Sequence, residues 1–292
     1  MRFIKRSDIK CFDMRCKLLF ILFFSSLYIM GFSQEKRYFD TKIEYEVTFI
    51  PDSAQKENVM REQAELLYSD SLSVFRSVRK GKNDSISYSI ENVRKRVSEE
   101  GGEMEYPSFF KTHFPYTLFF DSAHIHHIEQ LEDFNKYIYI ENLNQMDWDI
   151  KEETESIGEF QCQKAELNYG GRSWEAWFTT EVPIFLGPYK FSGLPGLIVS
   201  IEDSTNSWKF ELTKIEEGEI PVFFVDSLLD KELKKVNKDD FFKKKRYLLD
   251  NIFEINLAAG KVRYPNEKAK KRARDSAKEK ALKDNNWIEI YP

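Results

Sequence analysis

Three histidines close together in the sequence form the clearest arrangement that could bind a metal. His124 and His126 are two residues apart, so on a β-strand both imidazoles project from the same face. Imidazole is a common zinc ligand, and Glu129 is expected on that face as a carboxylate. The spacing does not specify a third ligand, and a surface strand rich in histidine needs no metal. We therefore predict a metal pair at His124 and His126 only if a third ligand converges on it, and no other cofactor.

Catalytic residues have no comparable pattern. A nucleophile needs a neighbouring base, but the sequence has no Gly-x-Ser-x-Gly elbow, and its 4 histidines all lie between His113 and His127. Cys162 alternates with Phe160 and Lys164 along a predicted strand, which favours a buried structural thiol. Paired carboxylates are too frequent in so acidic a chain to indicate acid–base residues. We predict no catalytic residue.

Short β-strands account for most of the chain after residue 40. Thr41 to Ile50 alternates strictly between apolar and polar residues, which is typical of a half-buried strand. Gly170-Gly171 separates two further strands and predicts a hairpin. The remaining strand predictions are residues 65–68, 71–78, 85–97, 118–120, 125–128, 136–140, 159–168, 172–180, 197–202 and 208–215. Strands at this spacing indicate a mostly antiparallel, curved sheet.

The last quarter of the chain has helical periodicity. Asp239 to Leu257 places apolar residues along one face, which predicts an amphipathic helix capped near Asn237. Glu267 to Lys283 is polar all round, which predicts a solvated helix. The helical region therefore covers about residues 237–283, packed on or beside the sheet in an α+β fold. Trp287 to Ile290 has strand composition and is expected to rejoin the sheet at its edge.

The first 33 residues have the pattern of a secretory signal peptide. Arg15 and Lys17 precede the apolar run from Leu18 to Met30, and Gly31-Phe-Ser33 suits cleavage before Gln34. The run is shorter than the roughly 20 residues that cross a bilayer. Met14 is an alternative start, because residues 1–13 form an unusually long leader that contains Asp8 and Asp13. We predict an exported protein, periplasmic or associated with the outer membrane, with no transmembrane segment after cleavage.

Charge and length limit the remaining classes. The chain carries a net charge of −5, and removal of the basic leader makes it more negative. Nucleic-acid binding requires concentrated positive charge, so nucleic acid is not an expected partner. Residues 34–292 contain enough apolar side chains for a single large core, and one domain is predicted.

The sequence GLPGLI is the most distinctive motif. Glycines permit unusual backbone angles and prolines fix φ, so the segment predicts a rigid, buried loop that leads into a strand. The motif residues are Gly187, Pro188, Gly193, Leu194, Pro195, Gly196, Leu197 and Ile198. Together with Trp174 and Ala176 to Thr179, they resemble the GLPGLI family of exported bacterial proteins, whose function is uncharacterised. The resemblance is closest from Trp148 to Asp203 and implies export and a β-rich fold, without catalytic residues.

The aromatic residues near this motif suggest a binding surface. Trp177, Tyr189, Phe191 and Leu194 are predicted to line a groove for an apolar ligand or a protein partner. We therefore expect a non-enzymatic binding or accessory protein of the cell envelope. Three alternatives remain: an envelope hydrolase with an unrecognised site, a metal-binding protein acting through the His124 to His127 cluster, and a scaffold in which GLPGLI only shapes a strand corner.

Overall fold

The computed structural model describes residues 37–100, 107–143, 146–222 and 232–290. The predicted signal peptide and its cleavage site lie outside these ranges. Apart from the first residue of β1, the described strands and helices belong to a unit that comprises residues 38–292.

The described residues form twelve strands and three helices. The strands are β1 Arg37–Phe49, β2 Met60–Tyr68, β3 Ser73–Ser77, β4 Tyr116–Phe120, β5 His124–Gln130, β6 Lys136–Asn142, β7 Asp149–Ile157, β8 Phe160–Tyr169, β9 Arg172–Thr179, β10 Leu197–Asp203, β11 Trp208–Val222 and β12 Lys234–Lys235. The helices are α1 Val78–Glu100, α2 Lys238–Ala258 and α3 Glu267–Lys283. The predicted helices at the C-terminal end of the chain and most predicted strands are therefore confirmed.

All twelve strands lie in one sheet, in the order β12-β6-β5-β4-β3-β2-β1-β11-β10-β9-β8-β7. Two meanders, β1 to β6 and β7 to β11, meet where β1 lies beside β11. Neighbouring strands within each meander are antiparallel, whereas β12 pairs with β6 in parallel. The order has two ends, so the sheet is not closed. The antiparallel prediction is confirmed, and the curvature stays a prediction.

Apolar side chains cover both faces of the first meander. On β2, Leu66 belongs to the largest core cluster, whereas the next residue, Leu67, belongs to a second cluster. On β4, Leu118 likewise belongs to the largest cluster and Phe119 to the second. Because consecutive strand residues point to opposite faces, the two clusters lie on opposite sides of the sheet.

Helix α2 begins where the sequence predicts. The Asn237 side chain accepts a hydrogen bond from the backbone N–H of Asp240, which satisfies one of the free donors of the first turn. Phe241 is buried and packs its ring 5.0 Å from that of Tyr139 on β6. The apolar face of α2 thus lies on the sheet.

Residues 85–97 are helical in α1, so the strand prediction for this segment was wrong. The alternation of apolar and polar residues extends over only a few positions. Side-chain contacts that require helical spacing override this weak strand pattern. Lys80 and Asp84, four residues apart, form an ion pair of 2.5 Å. The Asn83 amide exchanges two hydrogen bonds of 2.8 Å with the backbone of Phe110. The two bonds of Asn83 bind α1 to the segment around Phe110.

Trp287 to Ile290 is also not a strand. Among the described residues, its backbone makes one bond to another backbone group, from the N–H of Ile290 to the carbonyl oxygen of Gly170 in the β8–β9 turn, at 2.7 Å. Both turn glycines have positive φ, +61° at Gly170 and +76° at Gly171, as the predicted hairpin requires. Among the described residues, no helix combines the length and the apolar character needed to cross a bilayer.

Candidate functional site

The GLPGLI segment forms the end of the connection between β9 and β10. Gly193 has φ +92°, a conformation that side-chain-bearing residues rarely adopt. Gly196 has no room for a side chain, because an added Cβ would lie 2.0 Å from the carbonyl oxygen of Thr179. Leu194 and Leu197 are fully buried beside them. Gly193 and Pro195 are exposed, so the segment is buried only in part, and its rigidity stays a prediction.

Upstream in the same connection, Tyr189 and Lys190 lie in the interior. Tyr189 has φ +54°, a strained conformation for a residue with a ring, and both side chains are at most 1 % exposed. The Lys190 ammonium lies 2.6 Å from Glu289 Oε1 and donates to the Tyr139 hydroxyl at 2.8 Å. It also pairs with Glu141 on β6. We call these residues the Lys190 network.

The Lys190 network joins three distant parts of the chain. Glu289 is fully buried, accepts a hydrogen bond from the Tyr189 hydroxyl, and pairs with Lys238 of α2 at 2.5 Å. Burial alone would raise the pKa of Glu289, but Lys190 and Lys238 more than offset that effect and lower it. The network therefore links the β9–β10 connection, helix α2 and the end of the described chain.

Arg172 fixes the segment that contains Glu289, residues 286–290, which we call the C-terminal segment. The buried guanidinium pairs with Asp203 at 2.8 Å and donates to the side chain of Asn286 at 2.6 Å. It also donates to the carbonyl oxygens of Trp287 and Ile288, at 2.6 and 3.1 Å. These fixed donors hold the C-terminal segment against the β8–β9 turn without strand pairing.

A cavity of about 850 Å³ lies between the sheet, α1, α2 and the C-terminal segment. Its walls combine aromatic rings with titratable groups of both charges. The aromatic residues include Phe49, Phe109, Phe114, Tyr116, Tyr189, Trp208, Phe242 and Trp287, and the titratable ones include Lys80, Asp84, His113, His127, Glu129 and Lys245. Exposed lysines, Lys111, Lys280 and Lys283, also contribute to the lining.

His127 and Glu129 form a buried pair in this cavity. Both are 2 % exposed, and His127 Nε2 lies 3.1 Å from the Glu129 carboxylate, whose other oxygen pairs with Lys245 at 2.8 Å. Burial would raise the pKa of Glu129, but Lys245 and His127 lower it to about 2. The carboxylate is therefore ionised and accepts the Nε2–H of His127.

The other ring nitrogen, His127 Nδ1, is buried and has no hydrogen-bond partner within the described part of the chain. Since Nε2 carries the proton, Nδ1 presents a lone pair and acts as an acceptor. The ring itself is held by stacking on Tyr139, at 4.6 Å between centroids. A buried acceptor without a donor has a free-energy cost that a bound molecule with a hydroxyl or N–H group would remove.

Acidification from pH 7 to pH 5 is expected to lower the free energy of unfolding by about 2 kcal/mol through His127. Burial lowers the pKa of His127 to about 4, with further lowering by Lys190 and Lys245 that the Glu129 pair only partly offsets. Between pH 6.5 and 4 the unfolded chain therefore binds a proton that the native ring does not. Stability falls as the pH falls through this window.

Urea unfolding at pH 7 and pH 5 checks this effect, with His127→Phe as the comparison. The variant should lose about 2 kcal/mol less than the wild type over the same interval. An equal pH dependence in the two proteins would contradict the buried, neutral state of His127.

The residues predicted to line a groove do not all lie together. Tyr189 lines the cavity, whereas Phe191 and Leu194 are buried in the core, Phe191 with its ring 4.7 Å from that of Trp174. Trp177 lies half-buried on β9, and its indole N–H donates to Glu175 at 3.3 Å.

The predicted metal pair lies on the other side of strand β5 from the cavity. His124 and His126 share a face, as alternation requires, and both contact Asp121 of the preceding turn. Glu129 was wrongly expected there. Glu129 is five positions after His124 and three after His126, so it points to the opposite face, with His127 toward the cavity.

Cys162 is buried on β8, at 1 % exposed, and the described residues offer it no disulfide partner. Burial raises the pKa of its thiol, which reduces the reactive thiolate. The structural interpretation of this cysteine agrees with its position.

One pair of cavity residues could have been predicted from the sequence. His127 and Glu129 are two residues apart, so their shared face could have been read from alternation. A lone lysine within an apolar stretch, Lys190, was a signal for the Lys190 network instead. Lys245 has no such signal, because it belongs to the lysine-rich side of α2.

Two solved structures resemble part of this chain. "Structure of PNGF-II in C2 space group" is 13 % identical with a TM-score of 0.47, and "Structure of PNGF-II in P21 space group" is 11 % identical with a TM-score of 0.47. Each match covers 71 % of this chain and 33 % of the other, so the chain spans about a third of their length. A TM-score below 0.5 at this identity does not establish a shared fold or function.

Sequence comparison adds one match. No curated protein sequence is significantly similar to the chain. Residues 171–200, which contain β9, the Lys190 position and GLPGLI, match a family described as "Protein of unknown function (Porph_ging)".

Proposed function

We propose that this protein is a non-enzymatic binding protein of the cell envelope that holds a largely apolar ligand in the cavity. The observation that carries the proposal is the cavity itself, about 850 Å³, with many aromatic side chains in its walls and a buried acceptor, His127 Nδ1. Ligand pockets are usually of this size, apolar, and furnished with a few convergent polar groups. The export predicted from the leader and from the GLPGLI resemblance supports a location in the envelope.

His127 also defines one chemical property of the ligand. The pair with Glu129 leaves Nδ1 as an acceptor, so a matching ligand carries a hydroxyl or N–H donor. Tyr116 and Tyr189 pack edge to face, with ring centroids 5.7 Å apart, and add aromatic surface near this acceptor, since the Tyr116 ring lies 5.0 Å from that of His127. A molecule with an apolar body and one donor therefore fits both the walls and the polar group.

Fluorescence titration with 1-N-phenylnaphthylamine, an apolar probe with one N–H donor, tests the proposal. We expect saturable binding by the wild type and at least tenfold weaker binding by Leu249→Trp, because this α2 side chain lines the cavity and the indole would fill it. Leu257→Trp is the matched control, since Leu257 is half-buried on the same helix but does not line the cavity. Equal binding by the two variants, or none by the wild type, would refute the proposal.

Competition between 1-dodecanol and its methyl ether tests the donor requirement. The alcohol should displace the probe at lower concentration than the ether, since only the alcohol can donate to His127 Nδ1. His127→Phe should remove this preference while the probe still binds. A preference that survives in His127→Phe would assign the polar recognition to another group.

A hydrolase remains as a second candidate because of the same histidine. A base oriented by a carboxylate is two-thirds of a catalytic triad, and His127–Glu129 has that arrangement. Within the described residues, however, no hydroxyl or thiol bonds to His127 Nδ1, and strand pairing with Ile128 turns Thr117 to the opposite face. The low pKa of His127, about 4, also makes it a weak general base. Hydrolysis of p-nitrophenyl esters that His127→Phe abolishes would favour this candidate over binding alone.

A further inference from the structure

The turn between β4 and β5 brings a carboxylate to the two outward-facing histidines. Asp121 Oδ1 accepts hydrogen bonds from the backbone N–H groups of Ala123 and His124, at 2.8 and 2.7 Å. The backbone N–H of Asp121 in turn donates to the carbonyl oxygen of His124 at 3.1 Å. The turn therefore fixes the position of the carboxylate before any ligand binds.

His124 and His126 place their ring nitrogens around this carboxylate. His126 Nε2 lies 2.7 Å from Asp121 Oδ2, and His124 Nδ1 lies 3.4 Å from Asp121 Oδ1. One ligand atom from each of the three residues lies within 4.8 Å of the other two. Here the tertiary structure supplies the third ligand that the histidine spacing leaves unspecified.

We propose that Asp121, His124 and His126 form a binding site for zinc or a similar divalent transition metal. Zinc takes nitrogen and oxygen ligands at about 2.0–2.2 Å in a tetrahedron, which separates the ligand atoms by about 3.4 Å. Asp121 Oδ1 already accepts two backbone hydrogen bonds, so Oδ2 is the oxygen that would bind zinc. Its 2.7 Å contact with His126 Nε2 must open by about 0.7 Å as zinc replaces the hydrogen bond between the two groups.

The composition and exposure of the site decide which ion it favours. Two imidazole nitrogens and one carboxylate suit zinc, whereas calcium and magnesium prefer oxygen ligands alone. The side chains are 45 % exposed at His124, 39 % at Asp121 and 24 % at His126. A fourth coordination position is therefore open to water or to a ligand atom from another molecule.

This site is independent of the cavity and of the function proposed for it. Neither Asp121 nor the two histidines line the cavity, and alternation along β5 directs His127 to the other face. Loss of zinc binding and loss of probe binding can thus be measured separately in the same variants.

Isothermal titration of the folded chain, purified without a histidine tag, tests the site with zinc chloride and with calcium chloride. We expect one equivalent of zinc to bind and to raise the melting temperature, and calcium not to bind. His124→Ala and His126→Ala should each weaken zinc binding at least tenfold, with an unchanged melt in the absence of zinc. Asp133→Asn is the matched control, because Asp133 lies in the next turn, β5–β6, and bonds to the Tyr137 hydroxyl without a histidine.

Three results would overturn the proposal. One is the absence of zinc binding by the wild type. Another is zinc binding that the two histidine variants and Asp133→Asn retain equally. The third is calcium binding as tight as that of zinc, because it would show a nonspecific acidic surface.

Discussion

Replacing Lys190 with methionine is expected to lower the free energy of unfolding by about 3–5 kcal/mol, because it leaves buried carboxylates without their main partner. Lys190 and Glu289 are both fully buried, with 2.6 Å between their charged atoms. Lys238 still pairs with Glu289 in the variant, but the side chains of Lys190 and Glu289 are both 0 % exposed, so bulk water does not replace the missing ammonium. Urea unfolding at pH 7 measures the loss.

Lys209→Met is the matched control for this prediction. Lys209 forms an ion pair of 2.7 Å with Glu211, but the two side chains are 39 % and 45 % exposed, so its loss should cost less than about 1 kcal/mol. Adding Glu289→Gln to Lys190→Met should cost less than the sum of the single changes, because the uncompensated charge is then removed. If Lys190→Met is no less stable than Lys209→Met, the Lys190 network does not stabilise the fold.

Gly196→Ala is expected to cost about 3 kcal/mol or more, through a collision with the backbone. The added methyl carbon would lie 2.0 Å from the carbonyl oxygen and 2.7 Å from the carbonyl carbon of Thr179. Thr179 pairs with Leu197 where β9 and β10 join, so neither strand can move without breaking this register. Thermal and urea unfolding of the variant check the expected loss.

Gly193→Ala separates the two physical roles of glycine within GLPGLI. An added Cβ at Gly193 would meet no atom within 4 Å, so the only cost is the positive φ of +92°, about 1–2 kcal/mol. We therefore expect Gly196→Ala to be the more destabilising change. The reverse order, or two unchanged melts, would contradict the rigid-loop interpretation of the motif.

Much of the fold was predictable because its signals are local. The alternation in β1, the Gly170-Gly171 hairpin and the Asn237 cap each depend on neighbours within about four residues, and all three are present. The α1 segment was not predictable from its alternation. Its helix is stabilised by contacts that a short apolar pattern does not record, such as the bonds between Asn83 and Phe110.

The sequence by itself determined the strand-rich class of this protein and the positions of the C-terminal helices, because backbone preferences and side-chain periodicity act over short distances. The tertiary structure alone decided the cavity and the Lys190 network. Lys190 and Glu289 lie 99 residues apart and meet only because Arg172 holds the C-terminal segment in place. Asp121 lies three residues before His124, so its place beside the histidines depends on the local β4–β5 turn. No local pattern encodes the contact between Lys190 and Glu289, since it depends on how distant elements pack.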